Sequence, residues 1–305
     1  MNYLPPICFG QWRWIAVATL PLFFPAVASA QSATPGQTPD SFRELESKDI
    51  FGFTLGSDVG EEGELELENE TNIALQKRTG TYSALEHEAE LEYNPFDSFQ
   101  IEAAAHGVYT WFSGVEGLED RHGANFGGLS TVFRYLVIGC GPGAPVGLQI
   151  AVEPEWSRVD DAGKLTTDFN AETSIIADTE LVPNRLFAAF NATYTPEIAR
   201  EFGTPEWQGA STLGLKTAMT YRITQSEALG GELEYYRAYD GAGFNRFAGD
   251  ALFAGPTCFI VFTNKLFLSA AYSTQFAGHA AGDANRLDLT DFARNKARLK
   301  LIWEF

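Results

Sequence analysis

From residue 62 onward the chain alternates apolar and polar side chains with a period of two and scarcely shows the 3.6-residue spacing of an amphipathic helix. In EGELELENETNIAL (62–75), Leu65, Leu67, Ile73 and Leu75 hold one parity, and Glu64, Glu66, Glu68 and Glu70 the other. ALEHEAELEY (84–93) repeats the habit, with Glu86, Glu88, Glu90 and Glu92 set against Leu85, Ala89, Leu91 and Tyr93. Ten further segments of about 10–14 residues continue it, ending with ARLKLIWEF, which carries Ala297, Leu299, Leu301 and Trp303 on one face. The tenth, Leu252 to Phe262, is apolar on both faces and leaves its parity open.

The connections alternate as well. NPFDS (94–98), GCGPGAP (139–145), DTELVPN (178–184), TQSEA (224–228) and TNK (263–265) are turns. Between them lie KRTGT (77–81) and longer Gly- and charge-rich stretches at 113–125, 159–167, 196–209, 240–250 and 278–291. An even number of strands, with short turns on one side and longer loops on the other, predicts an all-β, transmembrane, antiparallel up-and-down barrel of about 12 strands with periplasmic turns and extracellular loops. Tyr93, Phe99, Tyr135, Tyr221, Phe262 and Trp303 fall at turn ends, and Trp111, Phe126, Trp156, Phe169, Tyr194, Tyr239 and Phe276 at loop ends. Two such belts are what the two lipid–water interfaces select.

Upstream, WIAVATLPLFFPAV (14–27) followed by Ala28-Ser29-Ala30 has the build of a secretory signal peptide and is short for a membrane-spanning helix. Residues 1–30 are therefore expected to be a signal, 31–60 a periplasmic N-terminal segment and 61–305 the barrel. PDSFRELESKDIFGFTLGSDVG (39–60) is a candidate cap or plug for the bore, or a leader lying outside it.

Forty acidic residues against 21 basic argue against nucleic acid as a partner, and 45% hydrophobic content argues against disorder. Cys8, Cys140 and Cys258 form neither a metal motif nor a disulfide framework.

The signal-like leader, the alternating strands and a last strand ending Trp303-Glu304-Phe305 resemble bacterial outer-membrane β-barrel proteins. The resemblance implies residence in the outer membrane of a Gram-negative bacterium, contact with its lipid, and reading of Trp303 and Phe305 by the barrel-assembly machinery. DIFGFTLGSDVGEEGE (49–64) is similar to the start of uncharacterised proteobacterial barrels, which adds no activity.

If the apolar parity faces lipid, the charged parity faces the lumen. The expected wall is Glu64, Glu66, Glu68, Glu70, Glu86, Glu88, Glu90, Glu92, Glu102, Glu153, Glu155, Glu172, Glu232 and Glu234, with Arg134, Lys216, Arg222, Arg298 and Lys300 as counter-charges. Closure should bring Arg298 and Lys300 beside the first glutamate ladder. Such a wall fits a porin-like channel for small hydrophilic solutes, with cations favoured by the carboxylates. It fits equally a charged scaffold in a non-conducting structural or adhesion barrel that acts through its loops. So many carboxylates should exclude dry apolar packing inside.

A third class, an outer-membrane hydrolase, would need an Asp/His site at the extracellular rim. His122 with Asp120 and His279 with Asp283 are the candidates, whereas His87 has lipid-facing parity and His106 faces the lumen among small residues. No histidine pair has metal-ligand spacing, so neither metal nor cofactor is expected.

Overall fold

The period-two pattern folds as read. In a computed structural model that describes residues 46–141, 144–160 and 162–305, twelve antiparallel strands close into one barrel. They are β1 (Leu65–Leu75), β2 (Thr81–Phe96), β3 (Phe99–Ser113), β4 (Arg121–Ile138), β5 (Gly147–Val159), β6 (Leu165–Val182), β7 (Leu186–Glu201), β8 (Gln208–Arg222), β9 (Glu227–Asp240), β10 (Arg246–Thr263), β11 (Leu266–Ala280) and β12 (Asn295–Glu304). Each pairs with its sequence neighbours, and β12 returns to β1 with Glu70 opposite Lys300 and Thr71 opposite Leu299. Closure leaves no edge strand, as a sheet in lipid requires. The expected signal, residues 1–30, lies outside the described residues.

The apolar parity points outward throughout: Leu91, Ile150, Phe190, Met219, Leu233 and Leu299 are exposed on the wall. Exposed aromatics band both ends, with Tyr93, Tyr135, Tyr221 and Trp303 toward the turns and Trp111, Phe126, Phe169 and Phe276 toward the loops. Trp303 stacks on Phe305, and the Phe305 amide donates to the Leu65 carbonyl at 3.0 Å.

Two expectations need correction. The strands reach further into the loop side than the alternation suggested. β7 runs through Pro196 to Glu201, β4 starts at Arg121, and the loops between strands shrink to 114–120, 202–207 and 241–245. Above the lipid, outward positions need not be apolar, so the ladder outlasts the pattern that advertises it. Pro196 removes only one ladder donor there.

The second correction is that the interior is not purely polar. Ile50, Phe51, Phe187, Ala218 and Phe259 form one buried apolar cluster. Phe253, Ala251, Ala238 and Phe292 form a second, and Tyr82, Phe112, Val108, Val159 and Ala293 a third. Each contains residues from outside the wall's strands: Ile50 and Phe51 from the N-terminal segment, Phe292 and Ala293 from the 281–294 loop. Inward apolar residues are docking points for chain that enters the barrel. This also settles β10, whose Phe253, Thr257 and Phe259 face inward and Phe262 outward.

Candidate functional site: the charged lumen and the segment inside it

β1 and β2 pair in a register that sets Glu66 opposite Glu92, Glu68 opposite Glu90 and Glu70 opposite Glu88. Such a ladder of like charges on adjacent strands is unstable unless cations reach it. The structure supplies them from two sides. On β12, Arg298 pairs with Glu70, while Lys300 lies 2.5 Å from Glu68 and 3.7 Å from Glu70. From the N-terminal segment, Lys48 pairs with Glu92 and lies 3.5 Å from Glu66 and 3.6 Å from Glu68. Asp49, the next residue, accepts from Lys300 at 2.9 Å.

Around the wall, Arg134 on β4 makes a two-pronged contact with Glu102 on β3. On β9, Glu234 binds Lys296 and accepts from Ser273 Oγ at 2.9 Å and Tyr236 OH at 2.7 Å. The Lys296 ammonium also sits 3.9 Å from the Phe53 ring centre, a cation–π contact inside the lumen.

Beyond the Lys48 and Asp49 ion pairs, the contacts of the segment from Ser47 to Asp58 are mostly to its backbone. Glu232 accepts from the amides of Phe53 (2.9 Å) and Thr54 (3.1 Å). Asn191 on β7 both accepts from the Leu55 amide at 2.7 Å and donates to its carbonyl at 2.8 Å. Thr220 donates to the Ile50 carbonyl at 3.0 Å, Arg298 to that of Gly52 at 2.7 Å, and Ser57 bonds Asp178. A Gly56 amide to Lys48 carbonyl bond of 3.0 Å folds the segment back on itself. Gly52 has φ +96°, and a Cβ there would lie 2.8 Å from both Ala271 Cβ and Thr257 Cγ2, so only glycine fits.

Phe53 and Leu55 line a cavity of about 150 Å³. Among the described residues, seven carboxylates line it (Glu70, Glu88, Glu90, Glu102, Glu153, Glu155 and Glu172) with five cations (Arg134, Lys216, Lys296, Arg298 and Lys300). On the loop side the 281–294 loop folds inward. Gln275 donates to the Asp288 carbonyl at 2.9 Å, Lys77 to that of Thr290 at 2.8 Å, and Phe292 is buried. Burial, and then the neighbouring Asp288, push the Asp291 carboxyl up to about 8.

The structure distributes the sequence-predicted residues unevenly. Glu66, Glu68, Glu70, Glu86, Glu88, Glu90, Glu92, Glu102, Arg134, Glu232, Glu234 and Lys300 are buried inside the barrel. Glu153, Glu155, Glu172, Lys216 and Arg298 are half-buried around the cavity. Glu64 is a correction: it precedes β1, and its carboxylate accepts from the Glu61 amide at 2.8 Å, tying the turn rather than lining the wall. Arg222, buried at the turn end, donates to the Gln225 carbonyl at 2.9 Å.

Lys296, Lys48 and Asp49 were missed. Lys296 shares the parity of Arg298 and Lys300, so extending the last strand back one alternation would have found it. Lys48 and Asp49 carry no periodic signal. The rim Asp/His sites do not assemble: Asp120 accepts from the Gly114 amide at 2.7 Å and Asp283 pairs with Arg78. His122 instead bonds the Tyr109 hydroxyl at 2.6 Å, and His279 stacks on Phe247. His106 is not among small residues alone, since its Nδ1 lies 3.0 Å from Glu86.

A closed antiparallel barrel with an apolar exterior and a charged interior defines the class: an outer-membrane-type β-barrel. Residues 43–305 match a family described only as "Family of unknown function (DUF6662)", and the chain belongs to that family. No curated protein matches it in sequence. Among solved structures it is similar to the COG4313 outer membrane channel from Pseudomonas putida F1, at TM-score 0.57 and 12% identity, covering 82% of this chain and 98% of that one. It is also similar to the translocator domain of the autotransporter NalP from Neisseria meningitidis (TM-score 0.51, 10% identity, 81% and 90% covered). A third is the beta domain of the Bordetella autotransporter BrkA (TM-score 0.50, 14% identity, 80% and 100% covered). At these identities the likeness is one of fold.

Proposed function

We propose that this chain is an outer-membrane channel for small hydrophilic solutes, held shut by its own N-terminal segment. The observation that carries the reading is the independence of wall and segment. The twelve strands close their hydrogen-bond circle among themselves, while Ser47–Asp58 attaches inside by side chains that reach across from β1, β2, β6, β7, β8, β9 and β12. Withdrawing the segment leaves the barrel intact and takes Phe53 and Leu55 out of the cavity lining. It also strips Lys48 from Glu66, Glu68 and Glu92, so the uncovered path is acidic and favours cations.

The density of paired charges favours a second reading, a non-conducting scaffold, because Arg134–Glu102, Lys296–Glu234 and Arg298–Glu70 brace the interior whether or not solute passes. Liposome swelling separates the two. Vesicles holding the refolded chain without residues 31–60 should swell in small sugars and amino acids, and those holding the full chain should not. Absence of swelling in both leaves the scaffold reading standing.

A further inference from the structure

On the outside of the barrel, the register of three neighbouring strands sets a polar row above an aromatic one. Trp156 of β5 stands opposite Phe169 of β6, and Phe169 opposite Ile198 of β7. The aromatic row extends to both sides. The Phe126 ring of β4 lies 6.3 Å from Trp156, and Trp207, just before β8, stacks on Phe169 at 6.3 Å between ring centres. One alternation nearer the loops, the same three strands carry Arg158, Thr167 and Arg200. Thr167 pairs with Arg200, and Arg158 lies at the bulge between Ser157, opposite Asp168, and Val159, opposite Leu165. Val159 and Ala199 beside the arginines are buried inside, so Arg158, which is exposed, and Arg200, which is half-buried, point outward.

We infer that Arg158, Thr167 and Arg200 form a binding site for the phosphate of an anionic lipid headgroup in the loop-side leaflet. Position is the first part of the argument. Aromatic rings mark the lipid–water interface, so the row beyond them faces headgroups. Two residues advance about 7 Å along a strand, or about 5 Å along the membrane normal at a tilt of about 40°. The headgroup layer is about 5–8 Å deep on each side, which places the polar row within it.

Charge is the second part. The chain carries 40 acidic residues against 21 basic, yet this outward row is cationic. Glu201, next to Arg200 in sequence, is engaged by Lys164 at 3.2 Å, and among the described residues neither arginine has a carboxylate partner. The Arg200 guanidinium lies 4.9 Å from the centre of the Trp207 ring. Stacking of that kind fixes the plane of the fork and leaves its N–H edges for an anion.

Fit is the third part. Adjacent strands lie about 4.8 Å apart, so β5 and β7 stand about 10 Å apart with Thr167 midway between them. Two guanidinium forks and a hydroxyl converging over Thr167 supply the donors that one phosphate accepts. A lipid held there lays its acyl chains over Trp156, Phe169 and Ile198, for which a free anion has no use. The site does not depend on the channel reading, since a non-conducting scaffold presents the same outer face.

The test is native mass spectrometry of the refolded chain in detergent micelles doped with phosphatidylglycerol or phosphatidylcholine, with folding of each variant checked by the heat-dependent gel shift of a closed barrel. The expected result is one phosphatidylglycerol held per chain in preference to phosphatidylcholine at equal doping. Arg158→Gln and Arg200→Gln should each weaken retention about fivefold, and the double variant about 25-fold, the scale for arginines at an anionic surface. Trp207→Ala, which removes no charge, should weaken it about two- to fivefold by freeing Arg200. The pair Arg246→Gln/Arg286→Gln, which makes the same charge change elsewhere at the loop end, should hold lipid as the parent does. Equal retention of the two lipids, unchanged retention in the folded Arg158→Gln/Arg200→Gln variant, or an equal loss in the Arg246/Arg286 pair would each overturn the inference. Displacement of the lipid by millimolar inorganic phosphate would also overturn it, by making the site one for a free anion.

Discussion

Lys48→Gln probes the latch most sharply. The Lys48 side chain is 5% exposed and faces Glu66, Glu68 and Glu92, of which Glu68 and Glu92 are 1% exposed. Removing one partner of a buried ion pair leaves an uncompensated charge and typically costs about 3–5 kcal/mol. That cost falls almost wholly on the docked state, because withdrawal of the segment lets water reach the carboxylates. At 1.4 kcal/mol per factor of ten, the docked-to-released ratio should fall by roughly 10² to 10³·⁵. Limited proteolysis of the refolded barrel reads this directly, since a protease cuts residues 46–60 only when they are out of the lumen. The parent should resist, and Lys48→Gln should be clipped at least about a hundredfold faster with the barrel itself uncut. Adding Glu92→Gln should restore much of the resistance, because a neutral pair needs no cation. Equal cleavage of parent and Lys48→Gln would refute the reasoning and move the holding energy to the backbone contacts.

Further predictions follow from the same geometry. Gly52→Ala should release the segment too, through forbidden φ and contact with Ala271 and Thr257, and proteolysis should show cleavage between the parent and Lys48→Gln rates. Phe259→Ala, which empties an inward side chain packed among Ile50, Phe51 and Phe187, should lower stability by about 3–5 kcal/mol in denaturant titration. Asp291 has its folded value raised to about 8 from the usual carboxylate range, by burial and then by Asp288. Its contribution to docking of the 281–294 loop is therefore complete at low pH and lost as pH rises through about 8. Hydrogen exchange in that loop should be faster at pH 9 than at pH 6 after correction for intrinsic rates, and Asp291→Asn should flatten the difference.

The barrel was legible because lipid punishes error on one face only. Leu65, Leu67, Leu91 and Leu299 had to point out, so Glu66, Glu68, Glu90 and Lys300 had to point in, and the strand count and closure followed. What stayed illegible has a common physical cause. Phe253, Phe259 and Phe187 sit on the inward parity because residues from other parts of the chain pack on them, and nothing local announces a visitor. Lys48 and Asp49 lie in a segment with no periodicity, and their partners come from strands distant in sequence. The 3.0 Å approach of His106 to Glu86 depends on the register of β2 and β3, which spacing along one strand cannot show. Glu64 was misplaced for the opposite reason, as its alternation continues one residue beyond the strand that gives alternation meaning.

The central claim, that the N-terminal segment holds the lumen shut, is tested most directly by conductance under a reversible lock. A Cβ at Gly147 would come 2.1 Å from the Ser57 hydroxyl, so the two positions face each other and a shift of about 1 Å brings them to disulfide spacing. Ser57→Cys with Gly147→Cys, in a Cys140→Ser/Cys258→Ser background, ties the segment to β5. In planar bilayers the oxidised protein should be silent. Reduction should give intermittent openings, and deletion of residues 31–60 steady conductance with a cation-selective reversal potential in a KCl gradient. Equal conductance before and after reduction, or silence even after the deletion, would contradict the account.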